Sequence, residues 1–371
     1  MKKVLFASHV ANFSKFNRPF MRWFRALGWE VHYASMGEEE IPDCDKSFVI
    51  PFRRSPLDVK NIVAIRKLAQ IIAQESYALI HCHTPMGGVV TRLAAKKYRK
   101  KQNLKVLYTA HGFHFYKGAP LINWLVYYTV EKWLARYTDR LITINEEDYQ
   151  RAVRRRFRSG SIHKIDGVGV NLTRFSPVIG GEKANLRETY GYGVDDFILL
   201  YVAEFIPRKN HRFLLRNLQE LRERIPNLRI LLAGKGELLA DCQEECAALE
   251  MDDIVDFLGY RNDIDKLCQL SDVLLSTSKQ EGLPINVIEA MASGLPVVCT
   301  NIRGHSDAVV DGQGGFLVNV DDDAALTDAV MRLYSDKALK TMQGAYNRTA
   351  CDKFSVEKAV EAMAEIYTAL F

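Results

Sequence analysis

Glu281-Gly-Leu-Pro-Ile-Asn-Val-Ile-Glu289 lies between two apolar runs, Asp272-Val-Leu-Leu-Ser-Thr277 and Pro296-Val-Val-Cys-Thr300. Short runs that are apolar throughout read as strands buried on both faces. Pro284 suits the first turn of a helix and Gly294 its end. The stretch therefore predicts strand, loop, helix, strand. Glu281 then lies in the loop at the mouth of the strand, and Glu289 in the helix body. The backbone at Gly282-Leu283-Pro284 opens the helix N-terminus, where unpaired N–H groups and the helix dipole favour an anion. An acid at that mouth is a candidate partner for the hydroxyls or charge of a ligand. The plain alternative is a junction whose Glu281 merely complements the positive helix end.

The same alternation runs outward in both directions. Ahead of this unit, Ile198–Ala203, Arg229–Ala233 and Val255–Leu258 read as strands with helices between them. In the first half, Val4–Ala7, Val31–Ala34, Ala78–His81, Val106–Ala110 and Arg140–Ile144 read as strands. They are separated by the helical stretches Arg18–Leu27, Asn61–Gln74, Gly87–Tyr98 and Leu121–Tyr137. Apolar strands alternating with helices argue an α/β chain with doubly wound parallel sheets. Gly167–Pro177 reads as a linker, so two domains are expected, residues 1–170 and residues 171–354, followed by an amphipathic C-terminal helix at 355–371 whose docking site the pattern alone does not give. The apolar stripe of that helix is Val356, Ala359, Val360, Met363, Ile366 and Tyr367.

Composition agrees with a globular enzyme: 371 residues, 48% hydrophobic and 26% charged. No apolar run reaches the roughly 20 residues of a spanning helix, and none at the start has the length of a signal peptide. The seven cysteines are scattered, and Cys82, Cys268 and Cys299 sit in or beside apolar runs, as reduced core cysteines do. Cys242 and Cys246 have helical spacing but no companion ligands. The expected compartment is the cytoplasm, with peripheral attachment at the inner face of the membrane. Residues 1–175 hold 30 Lys and Arg against 14 Asp and Glu, whereas residues 176–371 hold 20 against 31. A basic half suits an anionic membrane surface, a phosphorylated substrate or a nucleic acid.

In open α/β sheets ligands gather beyond the carboxyl ends of the strands. The loops there are Ser8–Asn17, His81–Pro85, His111–His114 and Glu204–Asn210. His111, rather than His114, is the candidate to hydrogen-bond a ligand or to stabilise developing positive charge through its carbonyl. His81 and His83 read as packing. Arg208 and Lys209, near a helix N-terminus, suit a diphosphate. Gly234-Lys-Gly236 is a small turn of the same kind, but neither a dinucleotide fingerprint nor a P-loop occurs. Lys96–Lys101 and Arg151–Arg158 are basic runs, with the aromatic stretch Trp124–Trp133 between them in sequence. If they share a face, an anionic bilayer is one partner for it.

Together these residues resemble family 4 of the retaining GT-B glycosyltransferases. The E-x7-E pair Glu281 and Glu289, Ala78-Leu-Ile-His-Cys-His83, Thr109-Ala-His-Gly112, the linker and Phe257-Leu-Gly-Tyr260 carry the likeness, which spans nearly the whole chain. It implies two Rossmann-like domains facing a cleft, with the last helix crossing back to the first domain. It also implies a nucleotide-sugar donor, UDP-linked by family frequency, held mostly by the second domain. Glu289 would bind the ribose hydroxyls and Glu281 the donor sugar. The amides of Gly282, Leu283 and Pro284 would meet sugar hydroxyls or phosphate, Lys209 the phosphate, and Tyr260 the base, with Gly236 on the donor side. Where the family often has an arginine this chain has Glu204, and Arg208 is the substitute within the loop. The family's Gly-Gly pair after the first strand is replaced by Val10-Ala-Asn-Phe-Ser14, on the acceptor side.

Catalysis is assigned to His111, Glu281 and Lys209. The expectation is transfer without a metal or other cofactor, because cations and helix-end amides stabilise a leaving diphosphate. Asp321-Asp-Asp323 reads as a helix cap. The acceptor is expected to be a glycan or a polyprenyl-diphosphate-linked sugar, in surface polysaccharide assembly. Alternatives are a UDP-sugar epimerase of related architecture and a nucleic-acid binder; no nucleic-acid motif is present, and no nucleic-acid partner is expected.

Overall fold

A computed structural model describes residues 1–56 and 58–371. The chain divides into two units, Met1–Gly169 together with Val356–Phe371, and Val170–Ser355. The first unit is built on seven strands: β1 (Lys3–Val10), β2 (Glu30–Met36), β3 (Lys46–Val49), β4 (Leu79–His83), β5 (Lys105–Ala110), β6 (Arg140–Thr143) and β7 (Ser161–Lys164). All pairings are parallel, in the order β3-β2-β1-β4-β5-β6-β7. The second unit has β8 (Phe197–Val202), β9 (Leu228–Ala233), β10 (Val255–Gly259), β11 (Val273–Ser276), β12 (Val297–Thr300) and β13 (Gly315–Val318). These are also all parallel, in the order β10-β9-β8-β11-β12-β13.

The central strands are apolar on both faces because helices cover both. Leu5, Ile80, Val106 and Leu141 are almost fully buried in the first unit. In the second, residues of β8 divide between two cores: Leu199 and Tyr201 face one, Ile198 and Leu200 the other. Strand direction reverses its winding between β1 and β4 and again between β8 and β11, which gives each sheet one switch point at its carboxyl edge.

Three strands escape the sequence reading. β3 and β7 are four-residue edge strands, mostly half-buried or exposed, so they lack an apolar signal. β13 is buried but short, and opens on Gly315, whose added Cβ would lie 1.9 Å from the Val297 carbonyl oxygen. The stretch Leu121–Tyr137 is helical throughout but not one regular α-helix. A π turn occupies Trp124–Tyr128 and a 3-10 turn Ala135–Tyr137. Beneath it Arg92, with no exposed side-chain surface, donates to Glu131 at 2.8 Å and lies 3.9 Å from the Tyr108 ring centre.

The C-terminal helix, Val356–Thr368, belongs to the first unit. Ala359, Met363, Ile366 and Tyr367 are its buried face. The Tyr367 ring stacks on Trp23 at 5.5 Å and packs on Phe24 at 4.7 Å. Gly169 has φ +91 and would drive a Cβ to 2.6 Å from the Val356 Cα, so the chain crossing there tolerates only glycine.

Candidate active site

The second unit's switch point builds a charged site from two loops. The loop after β8 carries Glu204 to Asn210, and that after β11 carries Thr277 to Pro284. Backbone and side-chain bonds stitch them together. Lys279 N–H donates to the Arg208 carbonyl at 2.7 Å, and Thr277 Oγ1 to the Asn210 carbonyl at 2.9 Å. Tyr201 OH donates to the Lys209 carbonyl. Asn210 turns the chain in the left-handed region, at φ 55, a conformation Asn tolerates well.

That scaffold aims Lys209 at Glu281. The ammonium donates to Glu281 Oε1, which also accepts the Ser278 hydroxyl at 2.7 Å. Arg208 Nη1 lies 3.8 Å from Oε2. Arg303 Nε donates to the Glu281 carbonyl oxygen at 3.0 Å. Glu281 is 7% exposed. Burial works to raise its pKa, but Lys209, His305 and the Ser278 hydroxyl outweigh burial and hold the carboxyl below its usual range. It is therefore a carboxylate at neutral pH. His305 is held between Ser276 Oγ, 3.0 Å from Nε2, and the Thr300 carbonyl, 2.8 Å from Nδ1, and burial lowers its pKa to about 4.

The helix after Glu281 spans Ile285–Ala292 with Pro284 at its N-cap and Gly294, φ +78, beyond its end. Asn286 Nδ2 ties its first turn to the Val202 carbonyl at 2.9 Å. The N–H groups of Gly282 and Leu283 have no acceptor among the described residues. Pro284 is a correction to the expected set of amides: it has no N–H, and its part is to start the helix. Glu289 is half-buried in the body of that helix, where its charge, after burial, helps to raise the Cys268 thiol. Gly236 and Tyr260 lie at the carboxyl ends of β9 and β10. A Cβ on Gly236 would meet the Phe205 carbonyl oxygen at 2.3 Å, and on Gly234 the Ala203 carbonyl oxygen at 1.8 Å. Tyr260 is 60% exposed, with Lys235 Nζ 5.9 Å from its ring centre.

Arg303-Gly-His305, after β12, was passed over in the sequence reading. Its signal is a glycine between two polar residues just past an apolar strand. A Cβ on Gly304 would lie 2.8 Å from the Gly282 carbonyl oxygen and 3.1 Å from Glu281 Cβ, so this turn supports the acid from below.

The first unit places His111 in a histidine cluster. His83 Nδ1 lies 3.1 Å from His111 Nε2. His81 shares hydrogen bonds with Tyr367 OH at 2.6 Å and Thr109 Oγ1 at 2.8 Å. Burial lowers the pKa of His111 to about 4 and of His81 to about 3, and puts His83 well below its ordinary value. All three are neutral at pH 7. His81 and His83 thus do more than fill space, since they tie His111 to the C-terminal helix. His114 instead stacks on Tyr127 at 4.7 Å.

Among the described residues, the acid and histidine groups with the spacing of metal ligands lie elsewhere, in Glu30, His32 and Glu75. Lys3 Nζ, 2.7 Å from Glu75, and Lys46 Nζ, 2.5 Å from it, neutralise that group. Asp321 faces Arg216 at 3.3 Å and Lys279 at 3.6 Å, and Asp322 caps the following helix through Ala325 N–H. No helix among the described residues is long and apolar enough to cross a membrane.

Comparison with known proteins gives the context of this geometry. The family Glycosyl transferases group 1 matches residues 182–350, and Glycosyl transferase 4-like matches residues 3–145. EpsD of Bacillus subtilis (strain 168), named as a glycosyltransferase, is 46% identical over 99% of this chain and 97% of its own. The UDP-Gal:alpha-D-GlcNAc-diphosphoundecaprenol alpha-1,3-galactosyltransferase of Escherichia coli is 27% identical over 88% of this chain and 84% of its own. Among solved structures, Anabaena HepE in complex with UDP superposes with a TM-score of 0.82 at 17% identity over the full length of both chains. Sucrose-phosphate synthase of Thermosynechococcus elongatus superposes at 0.79 with 22% identity, over 100% of this chain and 99% of that one. Two Rossmann-like sheets, the Glu281 and Glu289 pair and these relatives agree: the chain belongs to the group 1, glycosyltransferase 4-like family and is a glycosyltransferase of GT-B fold.

Proposed function

We propose that the enzyme moves a sugar from a UDP-sugar to a polyprenyl-diphosphate-linked or other glycan acceptor in surface polysaccharide assembly, with retention at the anomeric carbon. The observation that carries this is the convergence of Lys209 and Arg208 on Glu281 at the β8/β11 switch, beside the unpaired amides of Gly282 and Leu283. A donor diphosphate competes with Glu281 for the two cations. Glu281, partly released, accepts hydrogen bonds from sugar hydroxyls, while Glu289 takes the ribose and Tyr260 the base. As the glycosidic bond breaks, negative charge grows on the diphosphate, and Lys209 and Arg208 stabilise it more than in the ground state.

In the retaining step the acceptor oxygen bonds to the anomeric carbon on the face the phosphate leaves, and its proton passes to the departing phosphate oxygen. We assign His111 to the reacting sugar, through its neutral imidazole or its carbonyl. The reaction as proposed uses no metal: Lys209, Arg208 and the helix-end amides would take the charge of the phosphates. The E. coli relative named above supports the diphosphate-lipid acceptor by its name, and HepE, solved with UDP, supports the donor. Such an acceptor would bring the enzyme to an anionic membrane surface.

The test is a thermal-shift screen with UDP, GDP, ADP, NAD and nucleotide-sugars in EDTA. A ligand at a hundred times its Kd adds about 2.7 kcal/mol to stability. UDP and one UDP-sugar are expected to raise the Tm. A response to NAD alone, or to none of them, would overturn the donor assignment.

A further inference from the structure

At the amino ends of β5 and β6, the edge opposite His83 and His111, the first unit carries a cavity of about 880 Å³. Seven lysines and arginines line it, among them Lys96, Lys97, Arg99, Lys100 and Arg136, above an apolar floor that includes Leu93 and Leu104. Its one acid, Asp139, is committed to Arg99, at 2.5 Å and 3.2 Å, and to Val106 N–H at 2.7 Å. Among the described residues the other six cations form no ion pair. Lys96 lies 4.9 Å from the Tyr137 ring centre and Lys97 4.9 Å from that of Tyr98.

The helical stretch beside this cavity turns an unusual face outward. Its exposed positions are 121, 122, 125, 129, 132, 133 and 136, a spacing that keeps them on one side of a helix. They read Leu, Ile, Leu, Thr, Lys, Trp, Arg, with Leu121 74% exposed and Leu125 63%. An ordinary surface helix turns its polar residues outward; this one exposes aliphatic residues at one end and cations at the other. Stripe and cavity are continuous. Trp133 packs edge-on to Tyr137 at 5.5 Å, and the Arg136 guanidinium lies 5.8 Å from the Trp133 ring centre.

We propose that this combined surface docks the enzyme on an anionic bilayer. Leu121, Ile122, Leu125 and Trp133 enter the interface, and the cavity receives the phosphate of a phospholipid headgroup. Aliphatic side chains in a stripe are what acyl chains accept, and unpaired lysines and arginines beside them attract acidic headgroups. A single-stranded nucleic acid would instead call for a row of exposed aromatic platforms, and only Trp133 offers one here. The inference rests on the membrane-facing acceptor proposed above and deepens it by naming the surface.

The test is co-sedimentation of the full chain with vesicles of phosphatidylcholine alone and with vesicles containing phosphatidylglycerol, at low and high salt. Binding to the acidic vesicles only is expected, weakening as salt rises. Lys96→Glu with Lys100→Glu, and separately Leu121→Asp with Leu125→Asp, should each lower it at least tenfold. Lys97→Ala with Arg136→Ala is the milder check should a charge reversal unfold the protein. Equal binding to both vesicles, undiminished binding by the variants, or binding of inorganic pyrophosphate or an oligonucleotide without binding of acidic vesicles overturns the proposal. The UDP response of the same proteins separates the two claims. Its absence in the wild type defeats the donor assignment and leaves the docking surface standing, and its persistence in variants that no longer sediment shows that docking alone was removed.

Discussion

A buried carboxylate is costly unless its charge is matched, and Glu281 is matched by Lys209 and the Ser278 hydroxyl, with Arg208 further out. Lys209→Ala and Glu281→Ala are each expected to lower kcat/KM by about 100- to 1000-fold, the usual loss when one transition-state contact is removed, with unchanged circular dichroism. Near-normal turnover in either would defeat the roles assigned here. The histidines make a separate claim about pH. His81 falls from 6.5 to about 3 and His111 to about 4, so the folded protein binds fewer protons than the unfolded chain below pH 6.5. Their contribution is complete above pH 6.5 and is lost as pH falls toward the folded values. Glu281, also lowered from its ordinary 4.5, adds to this loss at more acid pH. Each such histidine steepens the acid slope by up to about 1.4 kcal/mol per pH unit. His81→Asn, which can keep the bond to Tyr367, should flatten denaturant-measured stability between pH 6.5 and 5 relative to wild type. An identical slope would show that His81 protonates freely in the folded state.

At the scale of elements, the loops after β8, β11 and β12 meet only because glycine allows them to. Gly304 has φ +85 and no room for a Cβ against Gly282 and Glu281. Gly304→Ala therefore combines a left-handed strain of roughly 1–3 kcal/mol with a push on the acid itself. The expected outcome is a lower Tm together with at least a tenfold fall in kcat, measurable side by side. A fall in Tm alone would mean the loop yields without moving Glu281. The helix Ile285–Ala292 and both flanking strands were legible in sequence because Pro284, Gly294 and two short apolar runs mark them locally. Arg303-Gly-His305 was not, because its role comes from a tertiary approach that leaves no periodic trace. The edge strands β3 and β7 were hidden for the opposite reason: half-exposed strands need no apolar run. The π turn at Trp124–Tyr128 likewise leaves the helical pattern of its sequence intact while altering its pitch.

For the whole molecule, the division into two α/β units was readable from alternation and the glycine-rich linker; the apolar stripe of residues 356–367 marked a terminal helix that must dock, but its return to the first unit was implied only by the family resemblance. What that helix covers was not readable, since its partners Trp23, Phe24 and His81 lie more than 280 residues away in sequence. The consequence is an asymmetry between the units. The second, Val170–Ser355, is one continuous segment with its own cores. The first is discontinuous, and without Val356–Phe371 it would expose Phe24 and leave the buried His81 Nδ1 without its Tyr367 partner, a cost of about 1–3 kcal/mol for the polar group alone. Residues 170–355 expressed alone should fold cooperatively and keep a Tm response to UDP, because Lys209, Glu281 and Glu289 all lie within them. Residues 1–169 alone should be unstable or aggregate, and should regain a cooperative transition when residues 356–371 are joined to them through a flexible linker. Equal stability of the first unit with and without the helix would make that helix a passenger, and loss of the UDP response by the isolated second unit would mean that donor recognition is not contained in its switch-point loops.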